Sequence, residues 1–361
     1  MKKYIKTILV AANLLVAGAL LGAYLSTHIN PEFFWRLAFL GLAFPVLLFL
    51  NLGFVFFWIM RRNRLLLISL IAILLGWNSI GKYLQFDLIH HKPGQNSFSV
   101  LSYNVRLFNY YRWEEGNVRE EILAVVAGEK PDLVCFQEIF TVETSEKESE
   151  KYIDQTLGLP YKHIAYTHKP NPVSSYGIAT YSRFPIVKKN TIRFKNSYNI
   201  CIYTDLKINS DTVRVFNLHL QSIKLRKNDY DALDNLTQKF SAKGIGEVRD
   251  ISDRMKQAYI KRARQVDELS RYVKQSPYPV LICGDFNDTP VSYTYRKVKG
   301  KNKDAFRDSG RGFGITYRGK LPFLRIDFIF HSPMFKSTNY KIQKVNYSDH
   351  YPVSCQLYKR R

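Results

Sequence analysis

The sequence predicts a layered α/β domain behind a strongly apolar N-terminal segment. Residues 98–106 alternate like a half-buried strand, residues 117–128 have the spacing of an amphipathic helix, and residues 131–136 form a short apolar run of strand length. Strand, helix and strand in this order are typical of helices packed outside β-sheets. The apolar residues are unevenly spread, because three long apolar runs precede residue 84.

The three apolar runs cover residues 7–25, 37–60 and 65–83. Each approaches the roughly 20 residues that a membrane-spanning helix needs. We therefore predict three transmembrane helices. A cleaved signal peptide is the alternative for the first run, although this run is long and lacks a clear small-residue cleavage site.

The basic residues predict the orientation of this segment. Lysines at the start of the chain and the basic turn at residues 61–64 are expected to be cytoplasmic. Three spans then place the rest of the chain in the periplasm, beside a bacterial-type inner membrane. The predicted parts are a membrane segment (residues 1–86), a linker (87–97) and a folded domain (98–361).

The formal net charge is +23, of which +16 belongs to residues 93–361. A basic domain of this size predicts an anionic partner, which can be nucleic acid, an anionic lipid surface or a phosphorylated substrate. The four cysteines have no CxxC spacing. They indicate buried thiols, with neither a zinc site nor a disulfide framework.

Polar side chains follow the predicted strands at the points where the strands end. The apolar run at residues 279–283 is followed by Asp285 and Asn287, which point to the same side of an extended chain. Asn217 and His219 end another strand in the same way. Carboxylate and amide oxygens suit a hard cation such as Mg²⁺ or Mn²⁺, and histidines supply acid–base capacity. Arg106 shares a face with Asn104 at the end of the first predicted strand. The other strand-end residues with oxygen or imidazole groups are Asn104, Glu138, Asp327, Asp349 and His350.

These residues lie in six short motifs, in the order Tyr103-Asn104-Val105, Gln137-Glu138, Asn217-Leu218-His219-Leu220, Gly284-Asp285-Phe286-Asn287, Ile326-Asp327 and Ser348-Asp349-His350-Tyr351-Pro352-Val353. In this wording and order the sequence resembles the endonuclease/exonuclease/phosphatase superfamily over about residues 97–358. The resemblance implies a four-layer α/β/β/α sandwich of the deoxyribonuclease-I-like type. It also implies a metal-dependent phosphoesterase.

The resemblance assigns expected roles to these residues. Glu138 is the principal ligand of Mg²⁺ or Mn²⁺, helped by Asn104 and Asp349. Asp285 orients or deprotonates the attacking water. Asn217 and Asn287 are expected to hold water and phosphate. His350 is expected to donate to phosphate oxygens, with its ring fixed by Asp327. His219 is expected to protonate the leaving oxygen or brace the phosphate, and Arg106 to bind phosphate.

Several alternatives remain open at this level. The expected substrate is a phosphodiester or phosphomonoester, first of a lipid or lipid-linked headgroup and alternatively of DNA or RNA outside the cytoplasm. A non-catalytic phosphate-binding module is disfavoured, because every mapped position holds the expected type of residue. Residues 224–254 are predicted as an insertion, either a lid or a plain surface excursion, and residues 255–273 as a basic amphipathic helix.

Overall fold

The computed structural model of the protein describes residues 3–86, 93–94, 96–223, 242–319 and 323–360. The chain forms two compact units. The predicted division into residues 1–86, 87–97 and 98–361 stays a prediction, and most of the predicted linker lies outside the described residues. The first unit contains Met1–Tyr83, Ile223–Arg264 and Asp288–Lys297, and the second contains Leu84–Ser222, Gln265–Asn287 and Val298–Arg361.

The N-terminal part of the first unit is helical. Polar groups lie between its helices, where Asn13 donates to Ser69 at 2.5 Å and Trp58 donates to Asn13 at 2.9 Å. Large apolar side chains such as Leu15 and Phe56 are exposed instead. Polar contacts inside and apolar side chains outside are typical of helices that pack within a membrane. The helices are α1 (Lys3–Ser26), α2 (Pro31–Phe34), α3 (Arg36–Leu42), α4 (Phe44–Met60), α5 (Leu66–Leu75) and α6 (Trp77–Ile80).

The structure corrects the prediction of three spans. Within the described residues, only α1, with 24 residues, is by itself long and apolar enough to cross a membrane. The second run is broken between α3 and α4, which are bent by 66° and reach the needed length only as a pair. The third run is interrupted at Gly76, so α5 has 10 residues. Such a helix is about 15 Å long, roughly half the hydrocarbon core of a bilayer.

The second unit is mainly β-structure. Helices α9 and α10 are shared with the first unit. The strands are β1 (Leu84–Gln85), β2 (Phe98–Asn104), β3 (Leu133–Val142), β4 (Tyr161–Asn171), β5 (Ser174–Ser182), β6 (Ile186–Arg193), β7 (Ile200–Ile208), β8 (Asp211–His219), β9 (Val280–Asp285), β10 (Lys303–Asp304), β11 (Gly312–Phe313), β12 (Asp327–His331), β13 (Phe335–Ile342) and β14 (Val353–Lys359). The helices are α7 (Val118–Gly128), α8 (Glu150–Leu157), α9 (Ala242–Lys274), α10 (Tyr293–Lys299) and α11 (Ala305–Ser309), with a 3-10 turn at Arg106–Asn109.

Most of these strands form two mixed six-stranded sheets. The β2 sheet has the order β13-β14-β2-β3-β5-β4, and the β9 sheet has the order β10-β12-β9-β8-β7-β6. Val100 of β2 packs in one core with Val215 and Leu281 of the β9 sheet. Leu101 points the other way and packs against Ile122 of α7. The two sheets therefore face each other, with α7 outside the β2 sheet, which confirms an α+β fold and is consistent with the predicted sandwich.

The topology brings several strand ends together within each sheet. Among the described strands, the pairs β2–β3 and β8–β9 are parallel and all other pairs are antiparallel. The carboxyl ends of two parallel neighbours lie at the same edge of a sheet. Strand β12 runs antiparallel to β9 and begins at Asp327, opposite Asp285. The predicted strand-end residues therefore meet at sheet edges.

The predicted insertion is partly helical. Helix α9 begins at Ala242 and ends at Lys274, so it is longer than the predicted helix over residues 255–273. Residues 242–254, predicted to belong to an insertion or lid, form its first turns. Residues 224–241 lie outside the described part of the chain, and the lid stays a prediction.

Candidate active site

Three neighbouring strands place His219, Asp285 and Asp327 in one row. In the β9 sheet, Asp285 is the register partner of His219 on β8 and of Asp327 on β12. Directly opposed residues have their side chains on the same face of a sheet. His219 Nε2 lies 3.7 Å from Asp285 Oδ2. Three strands thus deliver one imidazole and two carboxylates to one place.

The β2 sheet contributes Asn104 and Glu138. The side-chain amide of Asn104 donates to Glu138 Oε1 at 3.2 Å and to Asp285 Oδ2 at 3.0 Å. Glu138 lies at a register shift of β3 and has a φ of 52°, an uncommon conformation for a residue with a side chain. Its Oε1 atom is 3.3 Å from His219 Nε2. One amide therefore bridges two carboxylates, and one histidine lies beside both.

The turn after β9 holds Asp285 in place. Gly284 has a φ of 143°, and a side chain there would collide with the backbone of Leu218. Asp285 Oδ1 accepts from the backbone N–H of Asn287 at 2.8 Å, and Oδ2 accepts from the Asn287 amide at 3.0 Å. Burial raises the pKa of Asp285, and the Asp327 carboxylate raises it further against the opposing effect of His350 and His219. Asp285 is therefore a buried carboxylate with an increased affinity for a proton.

His350 is oriented by Asp327. The His350 Nδ1 atom lies 3.0 Å from Asp327 Oδ2, and Nε2 lies 3.7 Å from Asp285 Oδ2. Burial by itself would lower the pKa of His350, but Asp327 and Asp285 outweigh burial and raise this pKa well above its ordinary value. The two carboxylates therefore favour the protonated ring, and its Nε2 side is directed toward Asp285.

Two predicted site residues form a separate ion pair. Arg106 Nε lies 3.5 Å from Asp349 Oδ2, and both side chains are 27% exposed. The Arg106 guanidinium also stacks over the ring of Trp113 at 4.2 Å. Its backbone N–H donates to Asn104 Oδ1 at 3.0 Å, which links the pair to the cluster. The role of Asp349 as a metal ligand stays a prediction.

Asn217 lies beside the cluster but faces the gap between the two sheets. Its amide donates to the carbonyl of Ala179 at 2.8 Å and to that of Phe136 at 3.2 Å. Its Oδ1 accepts from Gln137 Nε2 at 2.7 Å, and the side chain is fully buried. These bonds tie β8 to the β2 sheet, and the role of Asn217 in holding water and phosphate stays a prediction.

A family model with the description Endonuclease/Exonuclease/phosphatase family matches residues 101–350. This range contains all of the predicted site residues. The chain belongs to this family. A second model, for a domain of unknown function, matches residues 6–83. No curated protein matches the chain.

Solved structures of this family share the fold. The endonuclease/exonuclease/phosphatase from Beutenbergia cavernae has 17% identity and a TM-score of 0.54, with 73% of this chain and 72% of that chain covered. A family protein from Bacteroides thetaiotaomicron has 18% identity and a TM-score of 0.51, covering 74% and 98%. The human Nocturnin catalytic domain with bound sulfate anion has 14% identity and a TM-score of 0.51, covering 74% and 97%. At these identities the likeness concerns the fold.

In this member of the endonuclease/exonuclease/phosphatase family, two side-chain groups have the composition of a metal site. Glu138, His219 and Asp285 bring ligand atoms within 4.8 Å of one another, and so do Asp285, Asp327 and His350. In the second group, Asp285 and Asp327 already favour the protonated imidazole of His350, which offsets their charge. In the first, the partly exposed Glu138 and the buried Asp285 share a neutral amide from Asn104, and carboxylates held this close repel each other unless a positive charge lies between them. The first group therefore fits a divalent cation best, and its oxygen donors suit Mg²⁺ or Mn²⁺.

Sequence reasoning missed the residues that hold the site in place. Thr316 Oγ1 accepts from the backbone N–H of Asp327 at 3.1 Å. Ser348 Oγ donates to the Asn104 carbonyl at 2.9 Å and accepts from the His350 N–H at 3.2 Å. Ser348 lies within a recognisable motif and could have been singled out. Thr316 lies in no motif, and no local pattern indicates its contact.

Proposed function

We propose that the protein is a membrane-anchored, divalent-metal-dependent hydrolase of phosphate esters. The observation that supports this most is the convergence of Glu138, His219 and Asp285 beside the His350–Asp327 pair. Acidic oxygens on one side and a cationic donor on the other suit a phosphate group that gains charge on its oxygens during hydrolysis. A plain structural role does not require the buried Asp285 carboxylate and the partly exposed Glu138 carboxylate to share one amide.

Asp285 is the proposed general base. Its raised pKa favours proton uptake from water, and Asn104 and Asn287 hold the carboxylate through their amides. The water oxygen attacks phosphorus while the bond from phosphorus to the leaving oxygen breaks, and the water proton passes to Asp285. Glu138 and Asn104 would hold a divalent cation beside Asp285, and such a cation would supply charge neutralisation for the phosphate.

The two histidines are proposed to act on different oxygens. His350 donates through Nε2 to a non-bridging oxygen, because Asp327 occupies its Nδ1 side. His219 lies between Glu138 and Asp285, and is proposed to give a proton to the leaving oxygen or to brace the phosphate. Arg106 is proposed to bind phosphate from the edge of the cluster, and Asn287 to help hold the water. For Asn217 we propose that it positions β8.

Membrane anchoring is supported by the exposed apolar side chains of the first unit. The exposed fractions of Leu15 and Leu75 are 73% and 71%, and soluble proteins rarely expose large contiguous apolar surfaces. Asn51 of α4 donates to the Val16 carbonyl of α1, and Trp58 of α4 to Asn13 of α1, so these helices run antiparallel. The basic clusters at the start of α1 and the end of α4 then lie at the same end of the helix pair. Because basic clusters are expected on the cytoplasmic side, we propose that the opposite end of this pair lies outside the cytoplasm.

For the substrate, we propose a phosphate ester of a lipid or lipid-linked headgroup, since the proposed anchor would keep the enzyme at a bilayer. DNA or RNA is the second candidate, because one surface of the second unit is rich in aromatic rings. Trp113 and Tyr111 have ring centroids 5.2 Å apart, and Tyr111 and Tyr110 5.1 Å apart. All three rings are exposed, and Arg106 stacks on Trp113. Nucleobases stack on such surfaces.

The experiment is hydrolysis by the purified full-length protein in detergent micelles. A generic aryl phosphodiester is tested with Mg²⁺, with Mn²⁺ and with a chelator, beside the Asp285→Asn variant purified in the same way. The same preparations are then assayed on phospholipids, DNA, RNA and inositol phosphates. We expect metal-dependent turnover that is lost in the variant. An absence of turnover on every substrate with either metal would refute the proposal.

A further inference from the structure

The segment that follows strand β9 belongs to the first unit. Asp285 and Asn287 lie at the end of β9 in the second unit, and Asp288–Lys297 continues directly from Asn287 into the unit of N-terminal helices. A helical anchor that only tethers an enzyme needs a single connection before the catalytic sequence. Here the N-terminal helices also pack with Asp288–Lys297, ten residues that lie within the catalytic part of the chain.

The contacts of this segment with the N-terminal helices are close. Val291 is fully buried in one apolar cluster with Leu20 and Phe44. Lys82 Nζ donates to the Pro290 carbonyl at 3.3 Å. Ser26 Oγ lies 3.3 Å from the Val291 carbonyl oxygen and shares its one proton with the closer Ala23 carbonyl at 2.7 Å. Apolar packing and backbone hydrogen bonds thus fix the middle of the segment.

A buried ion pair fixes its first residue. Asp288 Oδ2 lies 2.9 Å from Arg262 of α9, and the side chains are 8% and 1% exposed. Thr294 Oγ1 donates to the same carboxylate oxygen at 2.7 Å. Tyr259, one turn before Arg262, lies edge-on to Phe39 of α3 at 5.5 Å. The residue next to Asn287 is therefore held by a helix that itself packs on the N-terminal helices.

We infer that the N-terminal helices are a positioning element of the active site as well as an anchor. By holding Asp288–Lys297, they fix the backbone that leaves Asn287, and Asn287 in turn donates twice to Asp285. Misplacement of a catalytic group by about 1 Å can cost about 10²-fold in rate. The inference rests on the proposed function of Asp285, and it makes Asp288, Arg262 and Val291 positioning residues.

Glycines in the N-terminal helices offer a matched test. A Cβ at Gly41 of α3 would collide with the Val291 carbonyl oxygen, whereas Gly53 of α4 and Gly18 of α1 have nothing within 4 Å of such an atom. Gly41→Ala, Gly53→Ala and Gly18→Ala make the same chemical change in apolar helices. Only the first pushes on the segment that follows Asn287.

Two readouts are measured on the full-length protein in detergent micelles. Hydrogen–deuterium exchange of the peptide over residues 286–298 reports on the segment, and kcat on an aryl phosphodiester reports on Asp285. For Gly41→Ala we expect exchange faster by about tenfold or more and kcat lower by about tenfold or more, with KM little changed. The Gly53→Ala and Gly18→Ala variants should match the wild type in both. Should Gly41→Ala fail to fold, Ser26→Ala, which removes the hydroxyl beside the Val291 carbonyl, is the milder substitute and should change both readouts in the same direction.

Unchanged exchange in Gly41→Ala would overturn the inference. Faster exchange with a wild-type kcat would also overturn it, because the segment would then move without consequence for Asp285. Equal effects in all three glycine variants would point to general destabilisation and would overturn it as well. A wild-type protein without turnover on any substrate would refute the proposed function instead, and the exchange comparison would still decide whether the helices hold the segment.

Discussion

Two clusters of charged side chains in the second unit differ in how their charges are paired. Arg325 donates to both carboxylate oxygens of Asp304 at 2.8 and 2.6 Å, and the two side chains are 0% and 1% exposed. In the candidate active site, Asp285 and Glu138 share an amide of Asn104, and Asp327 lies opposite Asp285. The first cluster is a bidentate ion pair with no net charge. The second brings acids together.

The difference shows which buried charges stabilise the fold and which are available for chemistry. A paired arginine and aspartate satisfy each other, so removing either one leaves the other as an uncompensated buried charge. Acids that share too few positive partners store unfavourable energy, and a bound cation or proton can release it. Changes at the two clusters should therefore affect different properties of the protein, activity at one and stability at the other.

The largest expected effect is on activity, in Asp285→Asn. The variant keeps its shape and loses basicity, so kcat should fall by about 10²-fold or more, as is typical for loss of a general base. Stability should change little, because the crowded site loses one charge while the new amide nitrogen replaces an oxygen that accepted hydrogen bonds. Both are measured by turnover and thermal unfolding of the same preparation. Wild-type turnover in this variant would disprove the assignment of Asp285.

Asp304→Asn should behave in the opposite way. It leaves the Arg325 guanidinium buried without its carboxylate, so the free energy of unfolding should fall by about 3–5 kcal/mol. The specific activity of the folded fraction should stay near that of the wild type. The matched control is Asp304→Leu/Arg325→Met, in which both charges are gone and much of the stability should return. If Asp304→Asn instead lost activity without losing stability, the contrast between the clusters would be wrong.

His350→Ala should lower kcat by about 10²–10³-fold, the usual cost of removing one donor to developing charge. Asp327→Ala should act through the same histidine, whose Nδ1 atom it contacts. The double variant His350→Ala/Asp327→Ala should then be little worse than His350→Ala, since residues acting as one unit are not additive. Fully multiplicative losses would show that Asp327 acts independently of His350.

The smallest effect separates the two predicted acidic metal ligands. Glu138→Gln should weaken metal activation by about tenfold or more, because it removes a charged oxygen ligand. Asp349→Asn should have a weaker effect on the metal titration, since Asp349 is paired with Arg106 at 3.5 Å. The apparent affinity for Mg²⁺ is measured by activity and by calorimetry. An equal loss in both variants would place Asp349 with Glu138 at the metal.

Much of this fold could be predicted from local patterns. The alternation of β2 puts Val100 and Leu101 on opposite faces, and the structure places them in two different cores. The predicted helix over residues 117–128 is present as Val118–Gly128. The apolar run before Asp285 is present as β9. Period and apolar content are properties of neighbouring residues, so the sequence contains this information directly.

The candidate site was predictable as a set of residues but not as a set of contacts. Asn104 and Asp285 are 181 positions apart and meet at 3.0 Å only because their strand ends converge. Asn217 has the same local signature as Asn287, yet it bonds to Gln137 between the sheets. Asp349 lies next to His350 and pairs with Arg106. Which partner each polar side chain meets depends on sheet pairing, which no local pattern encodes.

By itself the sequence determined the strand-end residues, the α+β class, the family and the apolar character of the N-terminal segment, because each follows from residue types and short spacings. Only the tertiary structure decided where the apolar runs break, which two acids share an amide, and that Asp288–Lys297 packs with the N-terminal helices. These features result from long-range packing. The residues around Val291 in the sequence do not indicate what buries it, because the side chains that cover it lie more than two hundred positions away.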